Sequence, residues 1–185
     1  MKVLGIADAS TSFSYNHLLL AFIEERFGLA FDFELMELEP LPLFNQEESP
    51  DNYPILQEAA AHISAADGII LAVEEHNHSL TPNLKSLLEW FSFPQGSFAN
   101  KPVMLVGAAD DGQMPQRAQE QLKQILNAPG LRAWVMSDKT FFLKKASETF
   151  DQDGQIADSA LVTRLADSLQ HFVRFVSLTE SLKEK

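Results

Sequence analysis

The chain has no cysteine, which excludes a disulfide framework, a thiolate nucleophile and a cysteine-based metal site. Positive charge is also scarce. Fourteen Lys and Arg stand against 26 Asp and Glu, a formal net charge of −12, and no basic cluster of the kind that neutralises phosphate backbones occurs. Nucleic acid is therefore not an expected partner. No apolar run approaches the roughly 20 residues of a membrane-spanning helix. Met1-Lys2-Val3-Leu4 leads into strand-like sequence rather than a signal peptide, so no membrane partner is expected and the cytoplasm is the expected compartment. GxGxxG, Walker A and GxSxG patterns are missing too, which leaves dinucleotide-fold dehydrogenase, NTPase and hydrolase readings without support.

What the chain does have is an alternation of strand and helix signals, over a length of 185 residues that suffices for one substantial core. Strands are predicted at 3–7, 31–38, 67–73, 101–108 and 131–136. The third, Ile69-Ile70-Leu71-Ala72-Val73, is apolar without alternation, as a strand covered on both faces should be. Helices are predicted at 14–27, from Pro54 onward, from Pro82 onward, at 115–127 and at 158–176, each with apolar residues at core spacing. Right-handed crossovers leave few topologies for five such units, and the doubly wound parallel sheet in strand order 2-1-3-4-5 is expected. One domain over residues 1–176 and a polar tail over 177–185 complete the expectation.

In such a sheet the ligand crevice lies beyond the carboxyl ends of the strands, so the loop after the third strand matters most. Its sequence is Glu74-Glu75-His76-Asn77-His78-Ser79, followed by Thr81 as a helix cap and Pro82 at the first helical position. The stretch from Glu74 to Ser92 resembles the NADPH-dependent FMN reductase family, whose pattern there reads roughly PEYNxSxxPxLKNxxDWxS. Glu75, Asn77, Ser79, Leu84, Lys85, Trp90 and Ser92 stand in matching places. Pro42-Leu43-Phe44-Asn45 resembles that family's proline-aromatic loop, Arg117-Ala118-Gln119-Glu120-Gln121-Leu122 its RAQEQL helix, and Phe150-Asp151-Gln152-Asp153-Gly154 its FDxDG segment. The likeness thus covers most of the chain. It implies a flavodoxin-like three-layer α/β sandwich, bound FMN, NADPH or NADH as co-substrate, and transfer of two electrons in ping-pong order. The acceptor would be a small molecule such as a quinone, an azo compound or free flavin. A homodimer or homotetramer, built partly on the third helix, is also implied.

Three loops would converge on the flavin. The hydroxyl-rich first loop carries Ser10, Thr11, Ser14 and Asn16 before a helix N-terminus, where free amides and the dipole favour a phosphate. Serines there also serve simply as helix caps. The family pattern GSxRxxSxN keeps Ser14 and Asn16 but has Asp8 for glycine, Ala9 for serine and Thr11 for arginine. The second loop, Glu75, His76, Asn77, His78 and Ser79, would lie against the flavin ring, with His76 in place of the family's tyrosine and Glu74 in place of its proline. The third would bring Ala109 and Gly112 to the ring, while Asp110 and Asp111 read as ordinary turn residues before a helix.

Competing readings are few. His76 and His78 with Glu74 and Glu75 are ligand-type residues, yet no third His or Cys motif completes a metal site, so no metal is expected. The Asp151 to Gly154 segment has the wrong spacing for a calcium loop and reads as a surface turn. Phe13, Trp90 and Phe91 read as packing residues, and Lys85 as the i+4 partner of Glu89. No catalytic acid or base is expected. The departures at Asp8, Thr11, Asp110 and Asp111 define one alternative from a different class, a flavodoxin-like interaction protein with degenerate flavin loops.

Overall fold

Strands apolar on both faces require cover on both faces, and the two hydrophobic cores show how that is met. The computed structural model describes residues 1–8, 13–38, 41–92, 96–110 and 115–183. Among them, β1 (Lys2–Asp8), β2 (Asp32–Leu38), β3 (Gly68–Ala72), β4 (Pro102–Ala108) and β5 (Trp134–Val135) form a parallel sheet in the order β2-β1-β3-β4-β5. A further short strand, β6 (Phe141–Leu143), also pairs with β4. Alternate residues face opposite ways. Leu4, Ile6, Ile69, Leu71, Val103 and Leu105 belong to one core, with α2 (Pro54–Ala65), α3 (Pro82–Trp90) and α4 (Gln116–Asn127). Val3, Ile70, Ala72, Met104 and Val106 belong to the other, with α1 (Tyr15–Phe27) and α6 (Ser159–Lys183). This is the flavodoxin-like arrangement expected from the sequence.

Local chemistry marks the ends of these elements. Thr81 Oγ1 accepts from the Leu84 amide at 3.3 Å and Pro82 takes the first position of α3. At the other end of α2, Lys101 Nζ donates to the Ser64 carbonyl at 2.7 Å and also to that of Ala66, where a cation suits both the orphan carbonyls and the dipole. Lys85 Nζ holds Glu89 at 2.6 Å along α3, as the i+4 spacing predicts. Asp151 Oδ1 accepts from the amides of Asp153 and Gln155 at 2.9 and 2.8 Å, so the FDxDG segment is a tight turn.

Two stretches differ from the sequence-based expectation. The strand predicted at 131–136 is paired only at Trp134–Val135, beside Pro102 and Val103. The sheet edge resumes at Phe141–Leu143, beside Val106 to Ala108. The polar residues between them turn the chain, with Lys139 at φ 56°. A four-residue helix, α5 (Ala146–Thr149), follows and was not anticipated. The final helix continues to Lys183 rather than stopping at Val176; Thr179 is buried there and its hydroxyl donates to the Val176 carbonyl at 2.7 Å, while Leu178 and Leu182 are exposed.

Gly68 opens β3 where α6 crosses it. A Cβ at this position would lie 2.7 Å from Val176 Cγ2 and 2.9 Å from Phe172 Cζ. Gly68→Ala should therefore cost about 1–3 kcal/mol through overpacking. Urea unfolding of the two proteins measures it; a shift under about 0.5 kcal/mol would mean that α6 does not press on the sheet here.

Candidate functional site

The order of the sheet creates the site. Chain connections leave β1 toward α1 on one face and β3 toward α3 on the other, so a crevice opens between their carboxyl ends. A cavity of about 700 Å³ lies there, lined by residues 13–16, 73–78 and 108–110 with Pro115. That volume is in the range of small-molecule and cofactor sites.

The β3–α3 loop forms its floor as a two-residue turn. The His76 amide donates to the Ser79 carbonyl at 3.0 Å and the Ser79 amide returns to the His76 carbonyl at 2.9 Å. Asn77 and His78 between them both have positive φ, 49° and 64°, as a type I′ turn requires. Asn and His are among the non-glycine residues that tolerate this region best. The turn uses the amides of its ends on itself, and no hydrogen bond among the described residues uses the amides of Asn77 and His78. Two neutral donors are thereby left for a ligand.

Glu75 fixes this turn to α4. Its Oε2 accepts from the amides of Arg117 and Ala118 at 3.1 and 3.2 Å, capping a helix that Pro115 leaves without a side-chain cap of its own. Burial opposes the charged form and is the largest single influence, yet the Ala118 amide, His78 and the Arg117 amide outweigh it and hold the carboxyl below its usual 4.5. His78 Nδ1 lies 2.7 Å from Arg117 Nη1 and 3.3 Å from Glu75 Oε1. Beside it, His76 Nε2 meets Glu74 Oε1 at 3.0 Å, and Ser79 Oγ donates to Gln121 Oε1 at 2.9 Å.

The β1–α1 side is set by Ser14 and Asn16. Ser14 Oγ accepts from the His17 amide at 3.4 Å, so the hydroxyl caps the helix, the simpler of its two expected roles. Asn16 is buried, and its Oδ1 accepts from the Ala108 amide at 2.8 Å, joining the start of α1 to the end of β4. Phe13, expected as a packing residue, is 58% exposed at the cleft, edge-on to Tyr15 at 4.8 Å between ring centroids. Tyr15 in turn stacks on Phe150. Asp8 is buried with its Oδ1 accepting from Asn83 Nδ2 at 3.1 Å; Asn83 also donates to the Leu38 carbonyl and accepts from the Leu41 amide. That carboxylate is thus engaged by α3.

On the β4 side, Ala109 uses both backbone groups within the fold: its amide donates to the Leu143 carbonyl at 2.9 Å and its carbonyl accepts from the Ala146 amide at 3.0 Å. Asp110 Oδ1 accepts from the Ser147 amide at 2.8 Å, a contact with Ser147 that lowers its pKa and orders the start of α5.

Of the residues picked from sequence, Ser14, Asn16, Glu75, His76, Asn77, His78 and Ala109 line one cavity. Ser79 stands behind the turn on Gln121, and Ser10, Thr11 and Gly112 lie outside the described residues. Tyr15, Val73, Glu74 and Pro115 line the cavity without having been singled out as site residues. Val73 and Pro115 adjoin predicted elements, so the carboxyl-end rule alone could have found them. Among the described residues no group of three or more His, Asp or Glu forms a metal-binding cluster.

A nucleotide-sized ligand at the switch point of a doubly wound sheet is the class of protein that these features define. The donor set suits FMN: free turn amides for a ring edge, the first amides of α1 for a phosphate, and the aromatic residues Phe13 and Tyr15. Comparison with known proteins agrees. The sequence pattern of NADPH-dependent FMN reductases matches residues 1–148, and the chain belongs to that family. It is 33% identical over 186 residues to the NADH:(hydroxy)cinnamate reductase subunit CrdA of Vibrio ruber, covering 100% of this chain and 92% of that one. It is also 33% identical over 181 residues to the NADH-dependent flavin reductase subunit 2 of Lactobacillus johnsonii, covering 95% and 97%. Among solved structures, the flavoenzyme NAD(P)H:(acceptor) oxidoreductase FerB of Paracoccus denitrificans superposes with a TM-score of 0.80 at 22% identity, covering 97% of this chain and 99% of that one.

Two outcomes follow from the clamps. Asn16→Ala leaves the buried Ala108 amide without its acceptor and should cost about 1–3 kcal/mol in urea unfolding; a neutral result would show that water replaces the carboxamide. Glu75 has a folded pKa below its unfolded value of 4.5, so its stabilisation is full above that pH and is lost as pH falls through the folded value. The stability gap between wild type and Glu75→Gln should accordingly be widest near neutrality and shrink below about pH 4.5, and a gap constant down to pH 3 would contradict the charged clamp.

Proposed function

We propose that the cavity at the β1–β3 switch point is the FMN site of a reductase acting on a small-molecule acceptor, with a reduced nicotinamide as electron donor. Membership of the family makes the chain an NAD(P)H-dependent, FMN-using oxidoreductase. Bound FMN supplies the two-electron chemistry between donor and acceptor. The protein's part is placement. The observation that carries the reading is the I′ turn at residues 76–79, clamped by Glu75 to α4, whose Asn77 and His78 amides are unspent. These amides would meet the edge of the ring, while Ser14, Tyr15 and Asn16 hold the start of α1 open to the phosphate. Ser10, Thr11 and Gly112 would complete the phosphate and ring loops, as their sequence positions suggest. His76, beside Glu74, would stand at the ring in place of an aromatic residue.

No side chain is assigned a proton-transfer role. Quinones, azo compounds and free flavin are the acceptor classes proposed. A homodimer or homotetramer is the proposed assembly; because two relatives bear the word subunit in their names, a complex with a second kind of chain is the arrangement that a mass measurement should distinguish from it.

The test is a titration of the apo protein with FMN, followed by flavin fluorescence, and then anaerobic addition of NADH or NADPH. Dissociation constants of about micromolar or tighter, with bleaching of the flavin band, are expected. No binding at ten times that concentration would refute the reading and favour an interaction protein with degenerate loops.

A further inference from the structure

The family's name gives NADPH as the donor, yet the charges around this cleft point the other way. Among the described residues, those lining it include the carboxylates Glu74, Glu75 and Asp110 and neither lysine nor arginine. Among the described residues, the cations near the cleft stand outside its lining, Lys144 and the largely exposed Arg117 among them. Arg117, at the start of α4, donates to His78 at 2.7 Å and lies 4.0 Å from Glu75; Lys145, beside α5, holds Glu148 at 2.7 Å. The two histidines of the turn are each beside a carboxylate, His76 at Glu74 and His78 at Glu75.

NADH and NADPH differ only in a phosphate on the adenosine ribose. Near neutral pH a phosphate monoester carries a charge of about −1.5 to −2, and sites that accept it usually supply an arginine. In a cavity of about 700 Å³ that also holds FMN, the adenosine half of a dinucleotide donor would lie toward the rim. There the described lining offers three carboxylates and no cation, so a further phosphate meets a net negative field. Glu75 spends Oε2 on α4, and its Oε1 lies 3.3 Å from His78 Nδ1. Glu74 and Asp110 each bind one internal partner, His76 and the Ser147 amide.

We propose that this cleft discriminates against the 2′-phosphate, so that NADH rather than NADPH is the donor, with Glu74 and Asp110 as the carboxylates that set the preference. The assignment rests on the cavity being the flavin site. The experiment uses the full chain loaded with FMN. Its readouts are the dissociation constants of NAD⁺ and NADP⁺ by calorimetry and the kcat/KM for NADH and NADPH, at low and at high ionic strength. The expected result is a preference of about tenfold or more for the unphosphorylated nucleotide in both readouts, narrowing as salt screens the rim. The double variant Glu74→Gln, Asp110→Asn keeps an oxygen for His76 and for the Ser147 amide while removing the charges; it should narrow the preference about three- to tenfold. Equal or reversed preference overturns the proposal. So does a preference that salt and the double variant leave unchanged, since shape would then be the discriminator. Failure to bind FMN overturns the functional reading itself, whereas FMN binding with equal use of both donors overturns only the donor assignment.

Discussion

One carboxylate, Glu75, ties the loop after β3 to the first amides of α4, and the shape of the cleft depends on that tie. Without it, the turn at 76–79 would be held by its own two hydrogen bonds and by side-chain contacts of His78 and Ser79 with Arg117 and Gln121. A short two-residue turn with no sheet behind it is marginal in water. The tie also explains why α4 can begin at Pro115 without a cap of its own, since the missing acceptor comes from across the cleft. Asn16 makes the matching connection on the opposite side by binding the last amide of β4 from the start of α1. Three strand ends are thereby held together by two side chains, Glu75 through Oε2 and Asn16 through Oδ1. The turn amides of Asn77 and His78 remain for the ligand.

This division of labour decides how much could be read from the sequence. The five strand–helix units and their order were legible because buried parallel strands are continuous apolar runs and the covering helices keep one apolar face. The loop after β3 was legible because it sits between such a strand and a capped helix. Side-chain roles within the loop were not. Glu75 looks like a cofactor contact in sequence, but its partners are 42 and 43 residues away along the chain, and nothing local announces them. Ala109 likewise reads as a loop residue near a ring, while its backbone is committed to β6 and α5, two elements too short to show a period. Phe13 illustrates the converse: an aromatic residue ordinarily predicts core, and here it stands at the mouth of the cavity.

The acidity of the chain has a local expression. Every histidine is beside a carboxylate: His17 at Glu37, His62 at Glu34, His76 at Glu74, His78 at Glu75 and His171 at Asp138. At the exposed edge of β2, Glu34 is held below its usual pKa, chiefly by its hydrogen bond to Lys2 and against burial, with His62 adding to the effect. Charged side chains on that edge also discourage pairing with another chain. Around the cleft the same excess of carboxylate acts on the ligand, favouring neutral hydrogen-bond donors over salt bridges as the means of binding an anionic cofactor.

The central claim is that the cavity at the ends of β1, β3 and β4 receives the flavin. A second cavity of similar size, about 700 Å³, lies between α3 and the loop before α2, lined by Phe44, Glu48, Trp90 and Ser92 among others. Amide chemical shifts of the isotope-labelled chain, followed through an FMN titration, separate the two directly. The account predicts that residues 13–16, 73–78 and 108–110 move together, with Asn77 and His78 among the largest changes. Changes confined to residues 44–50 and 89–92 would contradict it.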